Sequence, residues 1–150
     1  MTGLAGIHRR SRMIPLRWMF PDAFFHFQDT GRLAFTLDEI QFPFNELNPQ
    51  IKSVAMLLFT DKNVNPEAWQ VRLAVPAHPA TIVAAPNNKG EISLNSGHPW
   101  QPLATGPAIG DYLVEFKLEE NPGLVHEGKL KLDPIRNIVI ILEYQYAPRE

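Results

Sequence analysis

The sequence predicts an all-β fold: an antiparallel β-sandwich, jelly-roll-like, of eight or nine strands with little helix. Three observations predict it. Apolar and polar residues alternate along many short segments, turn-forming residues separate these segments, and no segment has the periodicity of a long amphipathic helix. Fourteen prolines against nine glycines fit strands that are joined by firm turns. Short, evenly spaced strands of this kind are typical of sandwiches and jelly rolls.

The alternating segments place apolar side chains on one face of each strand. In residues 32–37, for example, Leu33, Phe35 and Leu37 fall on the same face, and Trp69 begins a similar series that makes it a core residue. The segments are 32–37, 69–75, 111–118 and 129–132. We also predict a strand at 24–28, joined to 32–37 by the turn 29–31, and a turn at 87–90 between strands at 82–85 and 91–94. Helix is expected only in short pieces, at 37–40 or 45–47.

Two segments are apolar on both faces, at 54–59 and at 138–142. We expect them to be central strands that are covered on both sides, or strands whose outer face meets another protein. A large exposed apolar patch is unusual in a monomer. The surplus apolar side chains therefore predict a homo-oligomer, a ring, or a complex with a different subunit.

Length and charge set limits on the class of protein. A chain of 150 residues is one domain's worth of material. We expect a basic N-terminal arm at 1–12, with Arg9, Arg10 and Arg12, and a single sandwich domain at 13–150. Net charge is −2, which gives no electrostatic reason to expect nucleic acid as a partner. The apolar stretch after the arginines is too short for a signal peptide or a membrane span, so synthesis in the cytoplasm is expected.

A catalytic constellation is not evident, so we predict that the protein is not an enzyme. There is no cysteine, no serine lies in a nucleophile elbow, and no histidine pair has metal-ligand spacing. The series Asp61, Asn63, Asn65 opens like an EF-hand but has Pro66 where the loop needs glycine, which favours a simple turn and no metal. No cofactor is predicted. An enzyme with a dispersed site remains an alternative, and it would need two or more of four histidines beside a carboxylate: His26, His78, His98 and His126.

Carbohydrate binding is the principal alternative to protein docking. Aromatic side chains on a β-sandwich can stack against sugar rings. Three residues have the sequence context of exposed aromatics: Trp100 in a proline-flanked loop, and Tyr144 and Tyr146 on one strand face. A glycan is therefore kept as a candidate ligand.

Three sequence blocks resemble, in order and spacing, the C-terminal region of the A subunits of insecticidal toxin complexes (Tc). The first runs from Phe35 through Leu37, Asp38 and Glu39 to Phe42 and Pro43, followed by the strand 51–54. The second contains Pro102, Leu103, Ala108, Ile109 and Tyr112, and leads into 114–116. The third is the closing strand 135–144.

In that family the region is a β-rich module that binds the B subunit, so the resemblance implies a non-catalytic adaptor within a toxin or injection-type assembly. It also implies release as part of an extracellular particle. Some positions depart from the family's pattern, including Ala104 in place of an acid and Asn137 and Ile141 in place of an aspartate and a histidine, which puts the identity of the partner in doubt. The candidate partner-binding residues are Trp100, Leu103, Ile109, Tyr144 and Tyr146.

Overall fold

Two four-stranded antiparallel sheets enclose one apolar core in the computed structural model, which describes residues 8–93 and 99–148. The predicted antiparallel sandwich is confirmed. The described residues form ten strands rather than eight or nine, because three pieces of only two residues each are paired. The strands are β1 (His8–Pro15), β2 (Arg32–Leu37), β3 (Glu46–Thr60), β4 (Val71–Val75), β5 (His78–Ala84), β6 (Glu91–Ile92), β7 (Gly110–Glu115), β8 (Val125–His126), β9 (Lys129–Leu130) and β10 (Ile135–Pro148).

Sheet A has the strand order β1-β10-β3-β6, and its centre is formed by the two segments that are apolar on both faces. Ile138 pairs with Leu58 and Leu142 pairs with Val54, so the segments are direct neighbours. Their prediction as central strands is confirmed. The inward side chains of both strands, such as Met56 and Ile140, are fully buried.

Sheet B has the order β2-β7-β4-β5. In β2 the residues Leu33, Phe35 and Leu37 are buried while the residues between them are exposed, as the alternation predicts. Trp69 is a core residue, also as predicted. The turn at 87–90 contains Gly90 at φ 79°, and it carries the chain from sheet B to sheet A instead of closing a hairpin.

The predicted strand at 24–28 is wrong, because this segment belongs to an α-helix. Helix α1 spans Leu16–Met19 and helix α2 spans Pro21–Thr30. Pro21 occupies the first turn of α2, and Gly31 ends it in the left-handed conformation, with its N–H bonded to the Phe27 carbonyl at 2.7 Å. Phe24 and Phe27 lie on one face of the helix and are buried in the core.

The short helical predictions have mixed outcomes. A 3₁₀ turn spans Glu39–Gln41, which overlaps the prediction at residues 39 and 40, and the Asp38 carboxylate caps it by accepting from Ile40 N at 3.1 Å. The other prediction, at 45–47, is wrong, because Glu46 begins β3.

The chain is a strand from His8 onward, which differs from the loose arm expected to reach residue 12. β1 pairs with β10 without a register shift, from His8 opposite Tyr146 to Pro15 opposite Val139. The long apolar stems of arginine can cover a sheet edge while their heads reach water, which is how three arginines fit into this strand.

Candidate interaction surface

Three of the five predicted partner-binding residues are core residues. Trp100 is 1% exposed, and Leu103 and Tyr144 are fully buried. The Trp100 indole N–H donates to the Ile82 carbonyl at 2.9 Å, which satisfies its polar group inside the protein. The expected exposure of Trp100 and Tyr144 is therefore wrong, and the sugar-stacking platform that needed both residues is not formed. Ile109 and Tyr146 are half-buried and pack against the core.

Tyr144 belongs to a buried polar network that the sequence did not reveal. Its hydroxyl donates to Glu46 Oε1 at 2.5 Å, and Arg10 Nε lies 2.8 Å from Glu46 Oε2. The Glu46 side chain is fully buried, while that of Arg10 is half-exposed. A buried carboxylate needs both a cation and a hydrogen bond to be tolerated. The network thus joins β1, β3 and β10 at one end of sheet A.

The two buried tyrosines make the free energy of unfolding depend on pH in the alkaline range. Burial raises the pKa of Tyr112, and burial with the hydrogen bond to Glu46 raises the pKa of Tyr144. In the unfolded chain tyrosine ionises at about pH 10, so above that pH the unfolded state binds fewer protons than the folded state, and stability falls as pH rises. We expect the melting temperature to fall less steeply above this pH in Tyr112→Phe and in Tyr144→Phe than in the wild type. Parallel slopes would contradict the assignment.

The outer face of sheet A is apolar at one end. The outward residues Met13, Ile141 and Ala55 stand side by side on β1, β10 and β3, and the next row contains Pro15, Val139 and Leu57. Phe59 follows on β3. Met13 is 58% exposed and Phe59 is 50% exposed, while Leu57 and Ile141 are half-buried. We call Met13, Leu57, Phe59 and Ile141 the outer patch. No charged residue lies among these rows of β1, β10 and β3.

Trp18 adds an aromatic side chain near the same end of the sheet. The Arg17 backbone N–H donates to the Asn137 side chain at 3.1 Å, and Asn137 pairs with Phe59. The Arg17 guanidinium lies 5.5 Å from the centre of the Trp18 ring. These contacts place helix α1, which carries the 71% exposed Trp18, near the end of the sheet where Phe59 lies.

The outer face of sheet B is different, because it is mostly covered by ion pairs and hydrogen bonds. Arg32 contacts Glu115 at 2.9 Å, and Arg72 binds both carboxylate oxygens of Glu120, at 2.8 and 2.5 Å. Farther along the strands, Thr36 and Asp111 are joined by a hydrogen bond. Between this bond and the ion pairs lies the half-buried Leu113. The outer face of sheet B therefore suits solvent, whereas the outer patch at one end of sheet A suits an apolar contact.

Ile109 lies at a pocket rather than at the outer patch. The pocket has a volume of about 440 Å³ and is bordered by Ile40, Phe44 and Leu47, of which Ile40 and Phe44 are highly exposed. Glu46 lies at its base. This pocket joins the first and second sequence blocks, which are far apart in the chain.

The histidines do not assemble into a site in the part of the chain that the structure describes. His26 and His126 are exposed, and His78 Nδ1 bonds to the Ala80 carbonyl at 2.7 Å. His98 lies outside the described residues. Among the residues described, no group of three His, Cys, Asp or Glu is placed to hold a metal. The series from Asp61 is a turn in which Asn63 has φ 66°. No helix in residues 8–93 and 99–148 is long and apolar enough to cross a membrane.

Fold and surface together define a β-sandwich module with an apolar patch at one end of the outer face of sheet A and ion pairs on the outer face of sheet B. No protein-family model matches the chain, and no curated protein matches it significantly. A solved structure does: a chain in the cryo-EM structure of Yersinia pseudotuberculosis TcaA-TcaB is similar over 96% of this chain, with 14% sequence identity and a TM-score of 0.56. The likeness shows a shared fold and supports, at that level, the resemblance to toxin-complex subunits. The match spans 10% of the length of that Yersinia chain.

Proposed function

We propose that this chain is a non-catalytic docking module of a large toxin or injection-type assembly, and that the outer patch is its docking face. The observation that carries the proposal is the contrast between the two outer faces. Met13, Leu57, Phe59 and Ile141 form an uncharged surface on a protein whose opposite face is rich in ion pairs. Contiguous exposed apolar surface of this kind is typical of protein–protein contact sites.

The shared fold with part of the TcaA-TcaB structure supports this class of function. The finer proposal is that the chain corresponds to the B-subunit-binding module of Tc A subunits, acting within a particle that leaves the cell. It rests on the order of the three sequence blocks. The blocks fall on separate elements of the sandwich: the first covers the end of β2 and part of β3, the second leads into β7, and the third covers most of β10.

A charge placed in the outer patch tests the proposal. We expect the wild-type chain to self-associate in light scattering, or to require co-expression with the proteins encoded beside its gene. Leu57→Lys should weaken either association by about 30-fold or more, because a buried leucine contributes about 2 kcal/mol and the lysine adds a desolvation cost. The matched control is Leu113→Lys, which places the same charge at a half-buried leucine on the outer face of sheet B.

Two results would contradict the proposal. One is a wild-type chain that stays monomeric at high concentration and binds none of the neighbouring proteins. The other is an equal loss of association in Leu57→Lys and Leu113→Lys, since that would show no preference for sheet A. Circular dichroism of both variants checks that the fold is retained.

A further inference from the structure

In the part of the chain that the structure describes, three of the four edges of sheets A and B are short or partly occupied. The β6 edge is only two residues long. At the β2 edge, the Thr30 hydroxyl accepts from the Arg32 backbone N–H at 3.2 Å and lies 3.4 Å from the Arg32 carbonyl. These contacts occupy the outward backbone groups of Arg32, so the start of β2 is a poor template for another strand.

The β5 edge is blocked along most of its length. His78 Nδ1 bonds to the Ala80 carbonyl, and the Trp100 indole N–H bonds to the Ile82 carbonyl. These contacts occupy alternate backbone carbonyls, which are those that point away from β4. Sheet B therefore offers no long open edge.

The β1 edge of sheet A is eight residues long, and among the described strands its pairing partner is β10. Proline cannot donate to a ladder, so a regular register places Pro15 with its nitrogen facing away from β10. Since the pairing has no register shift, the backbone groups of Arg9, Ser11 and Met13 face the same way. Among the described residues, no side chain hydrogen-bonds to the outward backbone groups of these three.

The charges on β1 select against a second copy of the same strand. In an antiparallel pair centred on Ser11, Arg10 of one copy would stand opposite Arg12 of the other, and like charges opposite each other are destabilising. Arg9 and Arg10 are ion-paired within the chain, at 3.6 Å to Glu143 and 2.8 Å to Glu46. Arg12 is not: its guanidinium lies 6.0 Å from the Phe42 ring, and its Nε is buried without a hydrogen-bond acceptor among the described residues.

We infer that the free edge of β1 accepts an extended segment of a partner protein as an added strand, and that this segment alternates acidic and apolar residues. Its acidic side chains lie on the face of Arg10 and Arg12, where a carboxylate stands beside the Arg12 guanidinium, which has no ion pair among the described residues. Its apolar side chains lie on the opposite face, next to Met13, and so extend the outer patch. Backbone hydrogen bonds give such strand addition its affinity, and alternate side chains give it specificity. The inference rests on the proposed function, because it names the strand and the partner chemistry of the same docking surface.

A synthetic peptide tests the edge directly. The probe is a nine-residue peptide that alternates valine and glutamate, with blocked ends, and the matched probe has lysine in place of glutamate. In NMR titrations to millimolar peptide, we expect the glutamate peptide to shift the amide signals of β1 and to slow hydrogen exchange at Arg9, Ser11 and Met13. The lysine peptide should do neither.

Two variants separate the contribution of the Arg12 charge to peptide binding from that of the backbone hydrogen bonds. Arg12→Gln should weaken binding of the glutamate peptide by about tenfold, because a charge-assisted hydrogen bond is lost. Ser11→Pro removes one outward N–H and should abolish binding while leaving the pairing with β10 intact, as Pro15 does. Leu57→Lys, which disables the outer patch, should leave peptide addition intact, so failure of this inference is distinguishable from failure of the proposed docking face. Equal binding of both peptides, or no protection in β1, would overturn the inference.

Discussion

Replacing Trp100 by alanine is expected to lower the free energy of unfolding by about 3–5 kcal/mol, the range for truncating a buried aromatic residue. Trp100 is 1% exposed, and its loss would leave a cavity and an unpaired carbonyl at Ile82. The measurement is chemical denaturation followed by circular dichroism. A Trp100→Ala variant with wild-type stability would contradict the buried position and would restore this residue as a ligand-binding candidate.

Trp18→Ala is the matched control, because it removes the same side chain from a surface position. Trp18 is 71% exposed, so we expect its unfolding free energy to stay within about 0.5 kcal/mol of the wild type. Its association should weaken, since helix α1 lies near the Phe59 end of the outer patch. The pair thus tests whether Trp18, rather than Trp100, is the exposed tryptophan.

The second large effect is expected at Gly31, where helix α2 ends. Gly31 has φ 78°, and an added Cβ would overlap the backbone oxygen of Phe116. The overlap is difficult to relieve, because the Phe116 N–H is bonded to the Gly31 carbonyl at 2.8 Å. We expect Gly31→Ala to cost about 3 kcal/mol, of which about 1–2 kcal/mol is the strain of the left-handed backbone.

Gly128→Ala measures the strain of the left-handed backbone without the steric overlap that an alanine at Gly31 would add. Gly128 also has φ 78°, but an added Cβ would have no heavy atom within 4 Å. The cost should therefore be about 1 kcal/mol, and the difference between the two variants measures the close approach of Gly31 to Phe116. Equal losses of unfolding free energy in Gly31→Ala and Gly128→Ala, measured by thermal or chemical denaturation, would show that Gly31 does not approach Phe116 closely.

The alternation of apolar residues was sufficient to predict most of the fold, and its failures have physical causes. β2 and the central strands of sheet A follow directly from the burial pattern. Helix α2 does not, because phenylalanines at 24, 25 and 27 fit both periods over so short a segment. Pro21 and Gly31, at the start and end of the helix, were the signals that could have decided between them.

The candidate site could be predicted only in part. The sequence showed that two segments carry surplus apolar residues, but it could not show which of these side chains point outward or that β1 brings Met13 beside them. It also misplaced Trp100, because flanking prolines say nothing about whether a loop folds back on the core. Glu46 gave no signal, since its ion pair with Arg10 and its hydrogen bond with Tyr144 join residues from three distant parts of the chain.

Oxidative footprinting of the assembled complex tests the docking face most directly. The side chains of Met13, Phe59 and Trp18 are exposed in the chain alone and react readily with hydroxyl radicals, as does Phe25 on the outer side of α2. On assembly with the partner subunit, we expect oxidation of Met13, Phe59 and Trp18 to fall several-fold while that of Phe25 is unchanged. Unchanged oxidation of Met13 and Phe59 in a complex that has formed would contradict docking through sheet A.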